Sequence, residues 1–296
     1  MSKFSPKIDL VFRKLFGSEE NSDLLLSLLN GIIDGRRPLT QLTLKNPYNL
    51  ASYVDSKTSI LDIKAVDEDG VGYDIEMQIC EYHFYGKRAM YYLSKMYVDQ
   101  LQQGMGYSEL NKTIGIHLID FNYFDDMRYR RHFVFKEMET NEYVEQLSYQ
   151  QLYFIELSKF RNDNQEVSTV LDRWITFLNK AQLWDIDNIP PTLRDDPTLV
   201  KAVGKLDAIC FNEAEREIYE AELKVRLDEK EKLRTAIAKG LEEGEAIGLE
   251  KGREQGREEG IRQTASNLLR EGLPLELIAQ YTGLSVDEIE LLRQAQ

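Results

Sequence analysis

The chain has 296 residues, 42% of them apolar, 30% charged and 10% aromatic, which is long and apolar enough to bury a real core and excludes a disordered chain. No apolar run reaches a membrane span, the N-terminus leads into a helix-like segment rather than a signal core, and two cysteines, Cys80 and Cys210, cannot build a disulfide framework, so a cytoplasmic protein with no membrane partner is expected. A net charge of −14 argues against a generic basic nucleic-acid binder, so any polyanion must be met by a local basic surface.

Ile8–Phe16 and Asp23–Ile33 carry apolar residues at three- and four-residue spacing and predict two helices around Gly17-Ser18. Strands are expected around Leu39–Lys45, Ser59–Val66 and Gly72–Cys80. The last two flank Asp67-Glu68-Asp69-Gly70, a hairpin turn in which Gly70 can take positive φ. A long helix is expected over Phe84–Gln103, closed by Gly104. Strands follow at Thr113–Asp120, His132–Lys136 and Leu152–Leu157, then a helix at Val167–Ala181, and Pro190-Pro191 breaks the chain. This order suggests an α/β domain over residues 1–210 with a mixed sheet rather than a regular βαβ series.

From about Phe211 the composition turns to a charged, Ala- and Glu-rich helix, 211–262. Gly240, Gly244, Gly248, Gly252, Gly256 and Gly260 recur at every fourth position. Interior glycines cost a helix about 1 kcal/mol each, so the set costs roughly 5–6 kcal/mol. Either the segment is a flexible charged linker, or the stripe lets another backbone approach closely. Residues 263–296 read as short helices in a small packing or oligomerisation module. Pro274 suits a helix start, and Ser285 with Glu288 forms a capping box. Acidic Asp287, Glu288 and Glu290 would repel phosphates and argue against a DNA-reading helix.

The chemistry is expected on the hairpin. Strand periodicity puts Asp62 and Lys64 on one face of the first strand and Asp74, Glu76 and Gln78 on one face of the second. Two carboxylates offer the hard oxygen ligands that Mg²⁺ accepts, and a cation so held would acidify water and neutralise charge on a phosphodiester. A solvated face of an antiparallel sheet shows the same alternation, so the pattern leaves both readings open. The three histidines, His83, His117 and His132, lack zinc-ligand spacing.

Asp62, then Glu76-Met77-Gln78 after thirteen residues, resembles the PD-(D/E)XK nuclease motif with glutamine in place of the lysine. Ser5-Pro6-Lys7-Ile8-Asp9 through Phe16-Gly17, Leu61-Asp62-Ile63-Lys64-Ala65, Tyr73 to Gln78, Arg88-Ala89-Met90-Tyr91-Tyr92 and Gly104 to Tyr107 resemble, in order, the recombination-promoting nuclease/transposase family. The resemblance implies a restriction-endonuclease-like fold, a mixed β-sheet core flanked by helices and followed by a helical tail. It implies a metal-dependent DNA endonuclease that hydrolyses phosphodiesters through a metal-bound water, with Mg²⁺ as cofactor and Mn²⁺ as substitute, linked to recombination, mobile elements or defence against foreign DNA. Asp62, Glu76 and the Met77 carbonyl would hold the metal, with Asp9 as a further candidate, and Gln78 would stand where the lysine orients the attacking water. A neutral amide supplies no positive charge. Lys64, beside Asp62, is a candidate to supply it.

Lys87, Arg88 and Tyr92 on the following helix, and Arg130 and Arg131 in the densest basic run, are the candidate DNA contacts, while Tyr91 is expected to pack. The runner-up reading is a catalytically silent scaffold that assembles through its C-terminal helices; a homodimer through those helices is expected in either case.

Overall fold

The Asp67–Gly70 turn closes the hairpin as its chemistry predicts. Gly70 takes φ +79°, and the Asp67 carboxylate accepts from the backbone N–H groups of Asp69 and Val71 at 3.0 and 2.8 Å. The computed structural model describes residues 4–33, 37–46, 63–81, 83–160 and 167–294. It divides into two compact units, Met1–Leu227 and Asp228–Gln296.

The first unit is built on six strands: β1 (Leu42–Leu44), β2 (Ile63–Asp67), β3 (Gly72–Gln78), β4 (Thr113–Ile119), β5 (Arg130–Phe133) and β6 (Gln150–Glu156), in the order β1-β2-β3-β4-β6-β5. β1, β2 and β3 form an antiparallel meander; β3, β4 and β6 run parallel; β5 is an antiparallel edge. The helices of this unit are α1 (Asp9–Phe16), α2 (Ser22–Ile32), α3 (Tyr85–Val98), α4 (Val170–Lys180), α5 (Pro191–Arg194), α6 (Pro197–Asp207) and the start of α7 (Glu213–Arg270). A mixed sheet between helices is the restriction-endonuclease-like arrangement expected of the sequence.

Alternation sorts the side chains. Ile63, Ala65, Tyr73, Ile75, Met77, Ile114, Ile116 and Leu118 face one way and form the main core with residues of α1, α2, α4 and α6. The opposite face is covered by α3, whose Tyr85, Ala89 and Leu93 pack with Ile119, Leu152 and Phe154. Phe211, Ile218 and Tyr219 pack against the main core, so the first unit runs past the change in composition near residue 211.

α5 forms where Pro190-Pro191 was expected only to break the chain, and three other elements depart from expectation. The helix expected to reach Gln103 ends at Val98, where Gln100 turns back to clasp the Asn111 backbone with two hydrogen bonds of 3.0 and 2.8 Å. The strand expected at His132–Lys136 is Arg130–Phe133 instead, held by antiparallel pairing with β6, while the Arg130 guanidinium donates to the Ile32 carbonyl at 2.8 Å. α6 was not anticipated, although Asp196 caps it and Pro197 occupies its first turn.

α4 begins with a full capping box between Thr169 and Asp172, and the Asp172 carboxylate also accepts from the Tyr129 hydroxyl at 2.7 Å. Burial alone would raise this carboxyl's pKa, but donors from Thr169, Tyr129 and Ser168 outweigh it and hold the group below the usual range. Asp172→Ala is therefore expected to destabilise the protein by about 1–2 kcal/mol at pH 7. The deficit should shrink as pH falls through the lowered pKa, because the wild type then loses the same charge. Urea unfolding at the two pH values checks both statements.

In the second unit, α7 stays helical through all six repeated glycines. A Cβ built at any of them would meet nothing within 4 Å. α8 (Leu275–Thr282) and α9 (Val286–Gln294) fold back on the end of α7 around Ala265, Ile278 and Ile289. The first of the short helices expected from residue 263 is thus the end of α7. Ser285 and Glu288 make the expected capping box, with Glu288 accepting from the Ser285 backbone at 2.8 Å. Among the described residues no helix is long and apolar enough to cross a membrane.

Candidate active site

The polar face of β3 is not a solvated one. Asp74 and Glu76 are each only 2% exposed and Gln78 is 7% exposed. Burying carboxylates without a compensating partner is costly, so their presence in a sheet interior calls for a reason. Antiparallel pairing sets Lys64 opposite Asp74, and parallel pairing sets His117 opposite Glu76. Lys64, Asp74, Glu76, Gln78 and His117 therefore share the face covered by α3.

The electrostatics follow from that crowding. Burial, and then the Glu76 charge, push the Asp74 carboxyl up to about 6, with Lys64 and His117 pulling the other way. The buried Oδ1 of Asp74 has no hydrogen-bond partner among the described residues. His117 Nδ1 lies 3.5 Å from Glu76 Oε2 and 3.0 Å from the Tyr85 hydroxyl. Two buried carboxyl groups on one strand face, with the Asp74 Oδ1 unpaired among the described residues, offer oxygen donors of the kind a hard divalent cation takes. Among the described residues no group of three or more His, Cys, Asp or Glu could hold a metal ion. Asp62 lies outside the described residues.

Where β3 and β4 end, the Asp120 N–H donates to the Gln78 carbonyl at 2.9 Å. The Asp120 carboxylate pairs with Lys7 at 2.7 Å and Arg226 at 3.1 Å, so the segment before α1 and the start of α7 close this end of the site. Asp9 is half-buried in the first turn of α1, where the helix dipole favours a carboxylate. The Met77 side chain is in the main core, which leaves only its backbone to serve the site.

The basic candidates separate into two groups. On α3, Lys87 is exposed with its ammonium 4.9 Å from the Phe84 ring, and Arg88 is half-buried with its guanidinium 5.4 Å from the Tyr92 ring. Tyr91, expected to pack, is instead 63% exposed, because Tyr85, Ala89 and Leu93 form the inward stripe. On β5 the guanidinium charge is engaged within the fold. Arg130 bonds the Ile32 carbonyl; Arg131 pairs with Asp126 and approaches the buried Glu156 at 3.9 Å. Arg128 and Arg131 in turn hold the Asp126 carboxyl well below the usual range.

A surface hollow of about 630 Å³, lined by Tyr97, Phe135, Leu147 and Tyr149, also touches Gln150, the first residue of β6. Neither Asp74 nor Glu76 lines it. The candidate cluster sits on a covered sheet face, not in this hollow.

Asp74 and His117 are the members of this cluster that sequence reasoning did not single out. Asp74 was visible as the i−2 neighbour of Glu76. Nothing in the spacing of His117 connects it to the hairpin, because a parallel pairing made through a crossover joins them. A family model described as PD-(D/E)XK nuclease family transposase matches residues 6–236. No curated protein and no solved structure matches the chain.

Proposed function

Since the chain belongs to the PD-(D/E)XK nuclease family transposases, we propose that it is a metal-dependent DNA endonuclease that hydrolyses phosphodiester bonds. The observation that carries this reading is the buried Asp74–Glu76 pair on β3, covered by α3. A bound Mg²⁺, or Mn²⁺ in its place, would supply an acidified water and neutralise charge on the phosphate.

Glu76 and Asp62 are assigned to hold that cation, with the Met77 carbonyl and Asp9 as further oxygen donors. Gln78 orients the attacking water through its amide without adding charge. Lys64, opposite Asp74 on the neighbouring strand, supplies the positive charge that Gln78 lacks. Lys87, Arg88 and Tyr92 on α3 are assigned to the DNA backbone. Arg130 and Arg131 are weaker candidates, since freeing them for a phosphate would cost the contacts they make within the fold. Activity in recombination, mobile-element movement or defence fits the family, and a cytoplasmic location fits that work.

Two copies joined through residues 228–296 would bring two sites to two strands. The glycine stripe on α7 favours this, because a Cβ built at those positions would meet nothing within 4 Å beyond the helix's own turns among the described residues. Gln78 favours a second reading, a catalytically silent scaffold that keeps the fold.

Plasmid cleavage by the full-length protein in Mg²⁺, Mn²⁺, Ca²⁺ or EDTA separates the two. Nicking or linearisation that needs Mg²⁺ or Mn²⁺ and vanishes in Glu76→Ala is the expected result. No cleavage, together with no metal-induced rise in melting temperature, would leave the scaffold. In the same assay Lys64→Met is expected to slow cutting by about 10²-fold or more, and full activity in that variant would remove Lys64 from the mechanism.

A further inference from the structure

We propose that His117 is a positioning residue that holds the Glu76 carboxylate ready for a divalent cation, and that Tyr85 fixes the imidazole in turn. This rests on the metal-dependent reading above and adds a residue to it.

The placement begins with topology. β3 and β4 are parallel neighbours, and their register sets His117 directly opposite Glu76. The imidazole is 2% exposed and held on several sides. Its ring stacks on Phe154, with centroids 4.9 Å apart and planes at 20°, and meets the Tyr85 ring edge-on at 5.6 Å. Gly115, two residues earlier on the same face, makes the room. A Cβ there would come within 2.8 Å of a Leu152 methyl and 3.3 Å of His117 Nε2.

The tautomer follows from the neighbours. Nδ1 looks toward Glu76 Oε2 at 3.5 Å and the Tyr85 hydroxyl at 3.0 Å. A lone pair on Nδ1 would face a carboxylate, so the proton belongs on Nδ1, donating toward Glu76 with the Tyr85 oxygen as second acceptor. Nε2 is buried without a hydrogen-bond partner among the described residues, so Nδ1 is the ring nitrogen that serves the site. At 3.5 Å the contact to Glu76 is long for a hydrogen bond. Site hydrogen bonds of this kind are often long in the empty protein and tighten in the loaded one. Carboxylates that ligate metals are held by such outer partners, and losing one typically costs 10–100-fold in metal affinity.

The test is Mn²⁺ titration by calorimetry on the full-length protein, with melting in EDTA as a check on folding. His117→Leu keeps the apolar volume and removes the donor, and is expected to weaken Mn²⁺ binding about 10–100-fold. His117→Asn, whose amide nitrogen reaches near the place of Nδ1, recovers most of that loss. Tyr85→Phe weakens binding by less, in the same direction. A folded His117→Leu protein that binds Mn²⁺ like wild type overturns the proposal, as does His117→Asn no better than His117→Leu. If His117→Leu does not fold, unchanged affinity in Tyr85→Phe overturns it. Wild type that takes no Mn²⁺, or Glu76→Gln that takes as much as wild type, overturns the metal-dependent reading itself and His117 with it. Failure confined to the His117 and Tyr85 variants removes only the positioning role.

Discussion

Glu76→Gln is expected to lower the cleavage rate by about 10³-fold, ~4 kcal/mol of transition-state stabilisation, and to raise the melting temperature of the metal-free protein. The amide matches the carboxylate in size, so packing under α3 is kept and only the charge is lost. In the empty site that charge is a liability, because it is part of what pushes the Asp74 carboxyl up. Removing it lets Asp74 ionise more easily and leaves one buried anion where there were two. With a cation bound the same charge becomes the attraction that holds it. Single-turnover cleavage of an end-labelled duplex, set beside thermal melts in EDTA, reads both effects. A variant that cuts within tenfold of wild type would remove Glu76 from the chemistry. One that loses activity and stability together would make it a structural residue. Opposite signs are what distinguish a site that trades stability for function.

How much of this was legible in the sequence depends on the range of the interactions involved. The hairpin was, because Asp67 through Gly70 and the alternation in Tyr73 to Gln78 are local and hold with any neighbours. The capping box at Ser285 and Glu288 was legible for the same reason. Burial of the polar face was not. Alternation says which residues share a side of a strand, but α3, which closes over that side, is placed by packing of Tyr85, Ala89 and Leu93. His117 illustrates the limit most sharply, since its link to Glu76 exists only through the parallel β3–β4 register. Lys64 and Asp74 lie closer in the chain, and their pairing was within reach once the turn length was fixed.

The partners of the basic run at residues 128–131 were hidden for a related reason. Charge density along a sequence does not reveal that the Ile32 carbonyl, Asp126 and Glu156 wait in space to take it up. α6 is a different kind of miss. Asp196 followed by Pro197 is a complete start signal, a capping carboxylate ahead of proline in the first turn, and it was present in the sequence. The glycine stripe stood open between linker and helix, because a helix cost of several kcal/mol can be met only by contacts that the chain's own residues do not list in order. α7 is helical there and lacks such contacts within its own chain among the described residues.

Asp74→Asn should give the largest change in pH dependence. In the metal-free protein burial and the Glu76 charge put this carboxyl at about 6, against 3.8 in an unperturbed chain. Between those values the folded state binds more protons than the unfolded state, so stability falls as pH rises. The cost is absent below about pH 4, grows through the interval and levels off above pH 6–7 at roughly 3 kcal/mol. The asparagine carries no such charge. The variant is therefore expected to match wild type near pH 4 and to exceed its stability in EDTA at pH 8. Saturating Mn²⁺ should reverse that order at pH 8, because binding to the ionised pair stabilises wild type by mass action more than it does the variant. Urea unfolding at the two pH values, with and without metal, measures each step. If wild type and variant show the same pH slope in EDTA, the Asp74 carboxyl is not the strained group. If metal stabilises both equally, the cation is held without Asp74, and the burial of that carboxyl beside Glu76 would need another reason.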